Sequence, residues 1–246
     1  MKNRRKRIVQ SFLGYQNYLL VFALWVIATM KLQRKQKDFI YFVKLISDHG
    51  FLLDIGANLG IRSYYLASRK PNSIVYAFEP VPIHILTLRK IVKWFRLKNI
   101  RIMGMALGDQ NGEIEMVLPE HGKAKLHGFC HVEHPTIKEF GEGERIMVPI
   151  KRLDSMDVFS LSKYFISGIK ISAGNFEYFV LKGAHLLLQR HRPIVFAELW
   201  DNENRKKCFD LMSGYGYETN VLISGKLVPY DKKIHRKQTF FFVPED

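Results

Sequence analysis

The chain has 246 residues, of which 47% are hydrophobic and 25% are charged, and its formal net charge is +15. This length and composition suit one α/β domain with a short additional segment, and they exclude low-complexity and solenoid-repeat proteins. The two cysteines, Cys130 and Cys208, are too few for a disulfide framework and favour a reducing cytoplasm.

The positive charge is concentrated near the N-terminus, in residues 2–7 and again in residues 31–37. A basic excess indicates an anionic partner, which could be nucleic acid, an acidic membrane surface or an anionic substrate. A solvated basic tail is the ordinary interpretation of such a run.

An apolar segment, residues 8–30, lies between the two basic runs. Its densest part, residues 18–30, is shorter than the roughly 20 residues that span a bilayer. No small-x-small cleavage site precedes Lys31, which disfavours a signal peptide. We expect this segment to form helices packed on the main domain. One alternative is an interfacial helix that makes peripheral membrane contact through residues 1–37, and another is a marginal membrane anchor.

Four apolar residues at helical spacing in the segment 38–47, Phe39, Phe42, Val43 and Ile46, predict a packed helix ahead of the main domain. We therefore divide the chain into an N-terminal helical segment, residues 1–50, and a main domain, residues 51–246.

Strands alternate with helices throughout the main domain. Strands are predicted at 51–56, 73–80, 100–109, 168–171 and 193–200, an extra strand pair at 112–120 and 144–156, and a closing hairpin at 217–223 and 238–245. Helices are predicted at 62–69, 82–95, 176–190 and 202–214. This alternation is typical of a doubly wound, mostly parallel α/β sheet.

A glycine-containing turn, Asp54-Ile-Gly-Ala-Asn-Leu-Gly60, follows the first strand and opens a helix. Gly56 and Gly60 allow a tight turn and a close approach to a ligand at the helix N-terminus. Asn58 stands where a dinucleotide fingerprint has its middle glycine, which disfavours a nicotinamide-dependent dehydrogenase. Asp54 would repel a pyrophosphate but suits a cationic, amine-bearing ligand.

Two further acids end the next strands. Glu79 lies 25 residues after Asp54, where a carboxylate can accept hydrogen bonds from both hydroxyls of a ribose. Asp109 follows the third strand and is placed to meet an adenine edge. Together these residues suit a nucleoside with a positively charged, amine-bearing tail, and S-adenosylmethionine is such a ligand.

Five stretches resemble the FkbM family of S-adenosylmethionine-dependent methyltransferases: FLLDIGANLGIRSYYLA, VYAFEPVP, ALGDQNG, IKRLDSM and IKI…FEYFVLKGA. The similarity covers most of the chain, from about residue 51 to residue 200. It implies a Rossmann-like class I methyltransferase fold, with a seven-stranded sheet whose last strand is antiparallel, and O-methylation of a hydroxyl on a sugar or natural product. By position, it implies the cofactor-binding residues Asp54, Gly56, Asn58 and Gly60 at the methionine end, Glu79 at the ribose and Asp109 near the adenine.

The turn after the fourth strand departs from the family's usual Ile-Asp-Val-Glu-Gly-Phe-Glu. Ser172 replaces the first acid, Gly174 the second and Asn175 the glycine. Methyl transfer to a hydroxyl usually needs a base, and Ser172 is a poor base without a partner. Glu198, at the end of the next strand, is the best intact carboxylate at the same sheet edge, although a structural ion pair would explain it equally well.

The loop at residues 121–134 offers another candidate base, His127, whose ordinary pKa lies near neutrality. His127, Cys130, His131 and His134 resemble metal-ligand spacing, but no second cluster accompanies them, so we expect no metal site. The loop is expected to contact the substrate instead.

The leading hypothesis is an S-adenosylmethionine-dependent O-methyltransferase that acts on a small molecule or glycan and resides in the cytoplasm, with membrane association as an alternative. A cofactor-binding pseudoenzyme is the first competing hypothesis, because the usual acids are missing. An RNA methyltransferase ranks lower, since no Asn/Asp-Pro-Pro-Tyr-type turn follows the fourth strand, and nucleic acid is therefore not the expected partner.

Overall fold

A computed structural model describes residues 10, 14–121, 124–125, 130–135, 143–161 and 163–245. Its strands are β1 Gly50–Ile55, β2 Ser73–Phe78, β3 Ile100–Met103, β4 Ala106–Leu107, β5 Gly112–His121, β6 Ala124–Lys125, β7 His131–Val132, β8 Gly143–Lys151, β9 Ile166–Ile171, β10 Ile194–Glu198, β11 Tyr217–Ile223, β12 Lys226–Pro229 and β13 Thr239–Pro244. Its helices are α1 Tyr15–Thr29, α2 Lys37–Leu45, α3 Ile61–Arg69, α4 Pro82–Trp94, α5 Asp157–Ser160, α6 Glu177–Lys182, α7 His185–His191 and α8 Glu203–Gly214.

The main sheet has the strand order β12-β11-β13-β10-β9-β1-β2-β3. Strands β10, β9, β1, β2 and β3 are parallel, whereas β13 is antiparallel to both of its neighbours, β10 and β11. The predicted mostly parallel sheet with an antiparallel last strand is confirmed. The described sheet has eight strands rather than seven, because Ser224 and Gly225, with φ of 49° and 83°, turn the chain back so that β12 pairs with β11.

Helices cover both faces of this sheet. Successive side chains of a strand point to opposite faces, so a central strand that is apolar throughout must be covered on both. On β1, Leu53 and Ile55 belong to the core beneath α6, α7 and α8, while Leu52 belongs to the core beneath α2, α3 and α4. The carboxyl ends of the parallel strands are left to build a crevice.

A second, smaller sheet lies between β3 and β9 along the chain. Its order is β4-β8-β5-β6, and β7 pairs with β5. The long antiparallel pairing of β5 with β8 confirms the predicted extra strand pair. The predicted third strand divides after Met103, so that β3 joins the main sheet and β4 joins the smaller one.

The predicted helix at 176–190 is two helices, α6 and α7, separated at Gly183 and Ala184. A Cβ on Gly183 would lie 1.9 Å from the carbonyl oxygen of Gly108. This close approach of two backbones explains a glycine here and holds α6 against the end of β4.

The described part of the N-terminal segment packs on the domain, as expected. In α1, Tyr18, Leu19 and Ala23 are buried with Leu59 and Ile91 of the domain. The predicted packed helix is α2. Its residues Phe39, Phe42 and Val43, with Ile46 directly after it, lie in the same core as β1 and β10. The boundary at residue 50 stays a prediction. None of the helices in the described part of the chain is long and apolar enough to cross a membrane.

Candidate active site

A cleft of about 890 Å³ opens at the carboxyl ends of β1, β2, β9 and β10. Its walls include the turns that follow these strands, at residues 55–59, 79–80, 172–174 and 198–200. Helix α1 and residues 33–38 close one side. The N-terminal segment therefore contributes directly to the candidate site.

The turn after β1 brings its backbone close to β9. Gly56 and Asn58 have φ of +70° and +50°, and both line the cleft. A Cβ on Gly56 would lie 2.0 Å from the carbonyl oxygen of Ser172, so only glycine fits. Gly60, with φ of +83°, precedes α3 and packs against Leu88 rather than lining the cleft.

Asp54 lies beneath the cleft. It is completely buried, Ser63 donates a 2.6 Å hydrogen bond to its Oδ2, and Nζ of Lys170 lies 2.9 Å from its Oδ1. The same Lys170 ammonium donates to the carbonyl oxygens of Ile55, at 3.1 Å, and Gly56, at 2.7 Å. Asp54 therefore holds Lys170 in place, and Lys170 in turn binds the backbone of the turn. A contact between Asp54 and the methionine end of the cofactor stays a prediction.

Glu79 lies where the ribose prediction requires a carboxylate. Its Oε2 accepts a 2.7 Å hydrogen bond from the Asn58 amide, and its Oε1 accepts a 3.0 Å bond from the Val81 amide. Nδ1 of the buried His84 lies 3.2 Å from Oε1. A carboxylate has about four acceptor positions, and these three contacts leave one of them, on Oε2, for a ribose hydroxyl. The sequence contained no signal that pointed to His84.

Asp109 is not among the residues that line the cleft. Its Oδ2 accepts a 2.8 Å charged hydrogen bond from Lys182. The neighbouring wall consists of Met105, Ala106 and Leu107, an apolar surface suited to a planar base. A contact between Asp109 and adenine stays a prediction.

Ser172 and Glu198 meet at the predicted sheet edge. Ser172 donates a 2.9 Å hydrogen bond to Oε2 of Glu198, and the other oxygen of Glu198 pairs with Arg62. Burial alone would raise the pKa of Glu198, but Arg62 above all, together with Lys170 and Ser172, lowers the pKa to about 2. Glu198 is therefore ionised and accepts protons poorly.

The guanidinium of Arg62 lies 5.3 Å from the ring centroid of Phe39 and 5.9 Å from that of Phe196. These cation–π contacts fix Arg62 beneath Glu198.

Glu177, the first residue of α6, is a cleft-lining carboxyl group to which the sequence analysis assigned no role. It is buried, and its Oε1 accepts a 2.7 Å hydrogen bond from the Ala173 amide. Burial raises its pKa to about 7, although backbone amides of the turn oppose the shift. A carboxyl group that titrates near neutrality suits proton transfer. An acid in an apolar segment, FEYFVL, is the signal that could have identified it.

The altered turn has a steric explanation. Gly174 and Asn175 have φ of +64° and +72°. A Cβ on Gly174 would lie 2.6 Å from the carbonyl oxygen of Cys130, beside β7. Asn204 donates a 3.0 Å hydrogen bond to the carbonyl oxygen of Asn175. An acid at position 174 would displace the segment that carries Cys130.

We expect Gly174→Ala to lower the free energy of unfolding by about 1–3 kcal/mol, because a side chain at positive φ is strained and this one meets a backbone oxygen. Urea denaturation measures the loss. Gly214→Ala is the matched control, because its Cβ would meet nothing within 4 Å, and it should change stability by less than about 1 kcal/mol. Equal effects of the two substitutions would contradict the close approach.

The third predicted catalytic residue, His127, lies outside the described residues. Of its predicted neighbours, Cys130 lines the cleft, His131 is buried, and the His134 ring centroid lies 4.5 Å from that of Phe179. Burial, and then Glu79, raise the pKa of Cys130 to about 12, so its thiol stays protonated. Within the described ranges, no group of three or more His, Cys, Asp and Glu side chains is arranged to hold a metal ion.

Comparison with known proteins identifies similar domains. The sequence profile of the methyltransferase FkbM domain matches residues 54–219. "Methyltransferase 1" of Beauveria bassiana is 24% identical over 158 residues, which cover 59% of this chain and 63% of that protein. "Methyltransferase sdnD" of Sordaria araneosa is 24% identical over 193 residues, covering 67% of this chain and 71% of that protein.

Among solved structures, methyltransferase FkbM from Methylobacillus flagellatus KT superposes with a TM-score of 0.51 at 14% identity. The match covers 79% of this chain and 44% of that one, so the chain spans less than half of the bacterial structure and 63% of the Beauveria relative. This likeness confirms the predicted α/β, Rossmann-like class I methyltransferase fold.

Proposed function

Since the chain belongs to the FkbM methyltransferase family, its domain uses S-adenosylmethionine, and we propose that it is an O-methyltransferase acting on a hydroxyl of a sugar, glycolipid or natural product. The residues present suit this cofactor: Glu79 is a buried carboxylate with a spare acceptor position on Oε2, and the turn with Gly56 and Asn58 lines the cleft beside it. Gly56 and Asn58 would hold the methionine end and Glu79 the ribose. Bound there, S-adenosylmethionine supplies an electrophilic methyl group.

One observation carries the proposal: two carboxyl groups of one cleft have opposite electrostatic surroundings. Arg62 keeps Glu198 ionised, whereas burial keeps the pKa of Glu177 near 7. Two carboxyl groups whose pKa values are separated in this way suit two different roles. Glu198 with Ser172 would orient the acceptor hydroxyl, and Glu177 would take its proton.

The proposal is tested in two steps with the full chain. Isothermal titration measures the binding of S-adenosylmethionine, and a labelled methyl group is then followed onto neutral sugars, phosphorylated sugars, envelope lipid extracts and RNA. Transfer to a hydroxyl of the sugars or lipids supports an O-methyltransferase. Tight binding without transfer to any acceptor supports a cofactor-binding module. Transfer to RNA supports an RNA methyltransferase. Absence of S-adenosylmethionine binding overturns all three hypotheses.

We expect Glu79→Gln to weaken S-adenosylmethionine binding by about 10- to 100-fold, because hydrogen bonds to a charged acceptor are worth about 1.5–3 kcal/mol. Isothermal titration measures the change in Kd. Asp109→Asn provides the comparison, because Asp109 pairs with Lys182 outside the cleft lining, and its Kd should change less than threefold. A comparable loss in both variants would instead support the predicted contact between Asp109 and adenine.

A further inference from the structure

Apart from Asn17 near its start, the exposed stripe of α1 is apolar. Its fifteen residues, Tyr15–Thr29, include no Lys, Arg, Asp or Glu. Val21 and Trp25, one helical turn apart, are 54% and 58% exposed, and Ala28 continues the same face. Leu32, just past the helix, is 85% exposed. A contiguous exposed apolar surface of this kind marks an interaction site.

Cations follow this stripe along the chain. Residues 1–37 include nine Lys and Arg and no Asp or Glu. Lys31, Arg34 and Lys35 are exposed directly after α1. An uncharged helical face followed by clustered cations matches a bilayer with anionic head groups, into which the apolar side chains insert while the cations pair with phosphates.

The same surface borders the cleft. Trp25 is both exposed and cleft-lining, and Arg34 and Lys35 line the cleft as well. Lys237 also lines the cleft, and its ammonium lies 3.7 Å from Asp38, close to Arg34 and Lys35 along the same wall. Any surface on which α1 rests therefore meets the entrance to the candidate site, and that entrance is cationic.

We propose that α1 and residues 30–35 dock on an anionic membrane surface, and that the acceptor is a hydroxyl in the head group of a membrane lipid. Docking follows from the apolar stripe and its cations alone, whereas the acceptor class rests on the proposed function. Arg34, Lys35 and Lys237 would hold the anionic group of the acceptor while its hydroxyl reaches toward Ser172.

The test is co-sedimentation of the full chain with phosphatidylcholine vesicles that contain or lack phosphatidylglycerol. We expect binding only to the anionic vesicles, and we expect added salt to weaken that binding.

Val21→Glu with Leu32→Glu should weaken binding by more than about tenfold, and Lys31→Gln by about fivefold. None of these three residues lines the cleft, so S-adenosylmethionine affinity should not change. Leu186→Glu is the matched control, because Leu186 is 62% exposed on α7, on the opposite face of the sheet, and vesicle binding should persist.

Equal binding to neutral vesicles, no binding to either kind, or full binding by the Val21/Leu32 variant would overturn docking. A dimer in sedimentation that these substitutions dissociate would assign the stripe to a second copy instead. Vesicle binding combined with methyl transfer only to soluble sugars would overturn the lipid acceptor alone. Docking without transfer to any acceptor would leave docking intact and contradict the proposed function.

Discussion

Replacement of Glu177 by glutamine is expected to lower kcat about 100- to 10,000-fold, the usual effect of losing a general base, while S-adenosylmethionine affinity stays within about threefold. Glutamine keeps the shape of the side chain and can still accept the hydrogen bond from the Ala173 amide, but it cannot take a proton. Methyl transfer to the acceptor identified in the panel, measured at saturating cofactor, gives kcat.

The pH dependence separates this role from a structural one. A general base works when ionised, so wild-type activity should rise with pH through about 7, where Glu177 titrates. The residual activity of Glu177→Gln should lack that rise. Glu198→Gln is the comparison: Glu198 is ionised throughout this range, so its loss should reduce activity and keep the rise. The rise should move to lower pH, because the charge of Glu198 contributes to the raised pKa of Glu177. An unchanged profile in Glu177→Gln would assign the base to another residue.

Stability provides a second measurement that needs no acceptor. The folded-state pKa of Glu177 is raised from 4.5 to about 7, so its favourable contribution is complete below pH 4.5 and is lost as pH rises to about 7. The Glu177-dependent part of the free energy of unfolding should therefore fall across that interval in the wild type and be missing in Glu177→Gln. Urea denaturation at several pH values compares the two.

Local features of the site could be predicted from the sequence. The turn with Gly56 and the acid at Glu79 follow from strand-turn-helix patterns, in which neighbouring residues determine the geometry. The sheet could be predicted for the same reason, since apolar strands that alternate with helices leave few topologies.

Long-range partners could not be predicted from the sequence. Arg62 and Glu198 are 136 residues apart and meet only because α3 and β10 border one cleft. In the sequence, Lys170 is a charged residue in an otherwise apolar strand, with no visible partner. The pairing of β9 with β1 places its ammonium beside the carboxylate of Asp54. The absence of a side chain at position 174 likewise makes sense only once Cys130 lies beside it.

Lys170→Met is expected to destabilise the fold by about 3–5 kcal/mol, because it leaves the carboxylate of Asp54 buried without its countercharge. Both side chains are almost fully buried, at 2% and 0% exposure. The carbonyl oxygens of Ile55 and Gly56 would also lose their donor, so cofactor affinity should fall along with stability. Urea denaturation and isothermal titration measure the two losses.

A double-mutant cycle isolates the pair. Asp54→Asn removes the buried charge, so Lys170→Met should cost less in that background than in the wild type, by 1 kcal/mol or more. Lys182→Met breaks the half-exposed ion pair with Asp109 and should cost less than about 1 kcal/mol, since solvent screens such pairs. If Lys170→Met cost no more than Lys182→Met, the Lys170 ammonium would not compensate the charge of Asp54, and the cofactor turn would be held by its backbone hydrogen bonds to Phe78 instead.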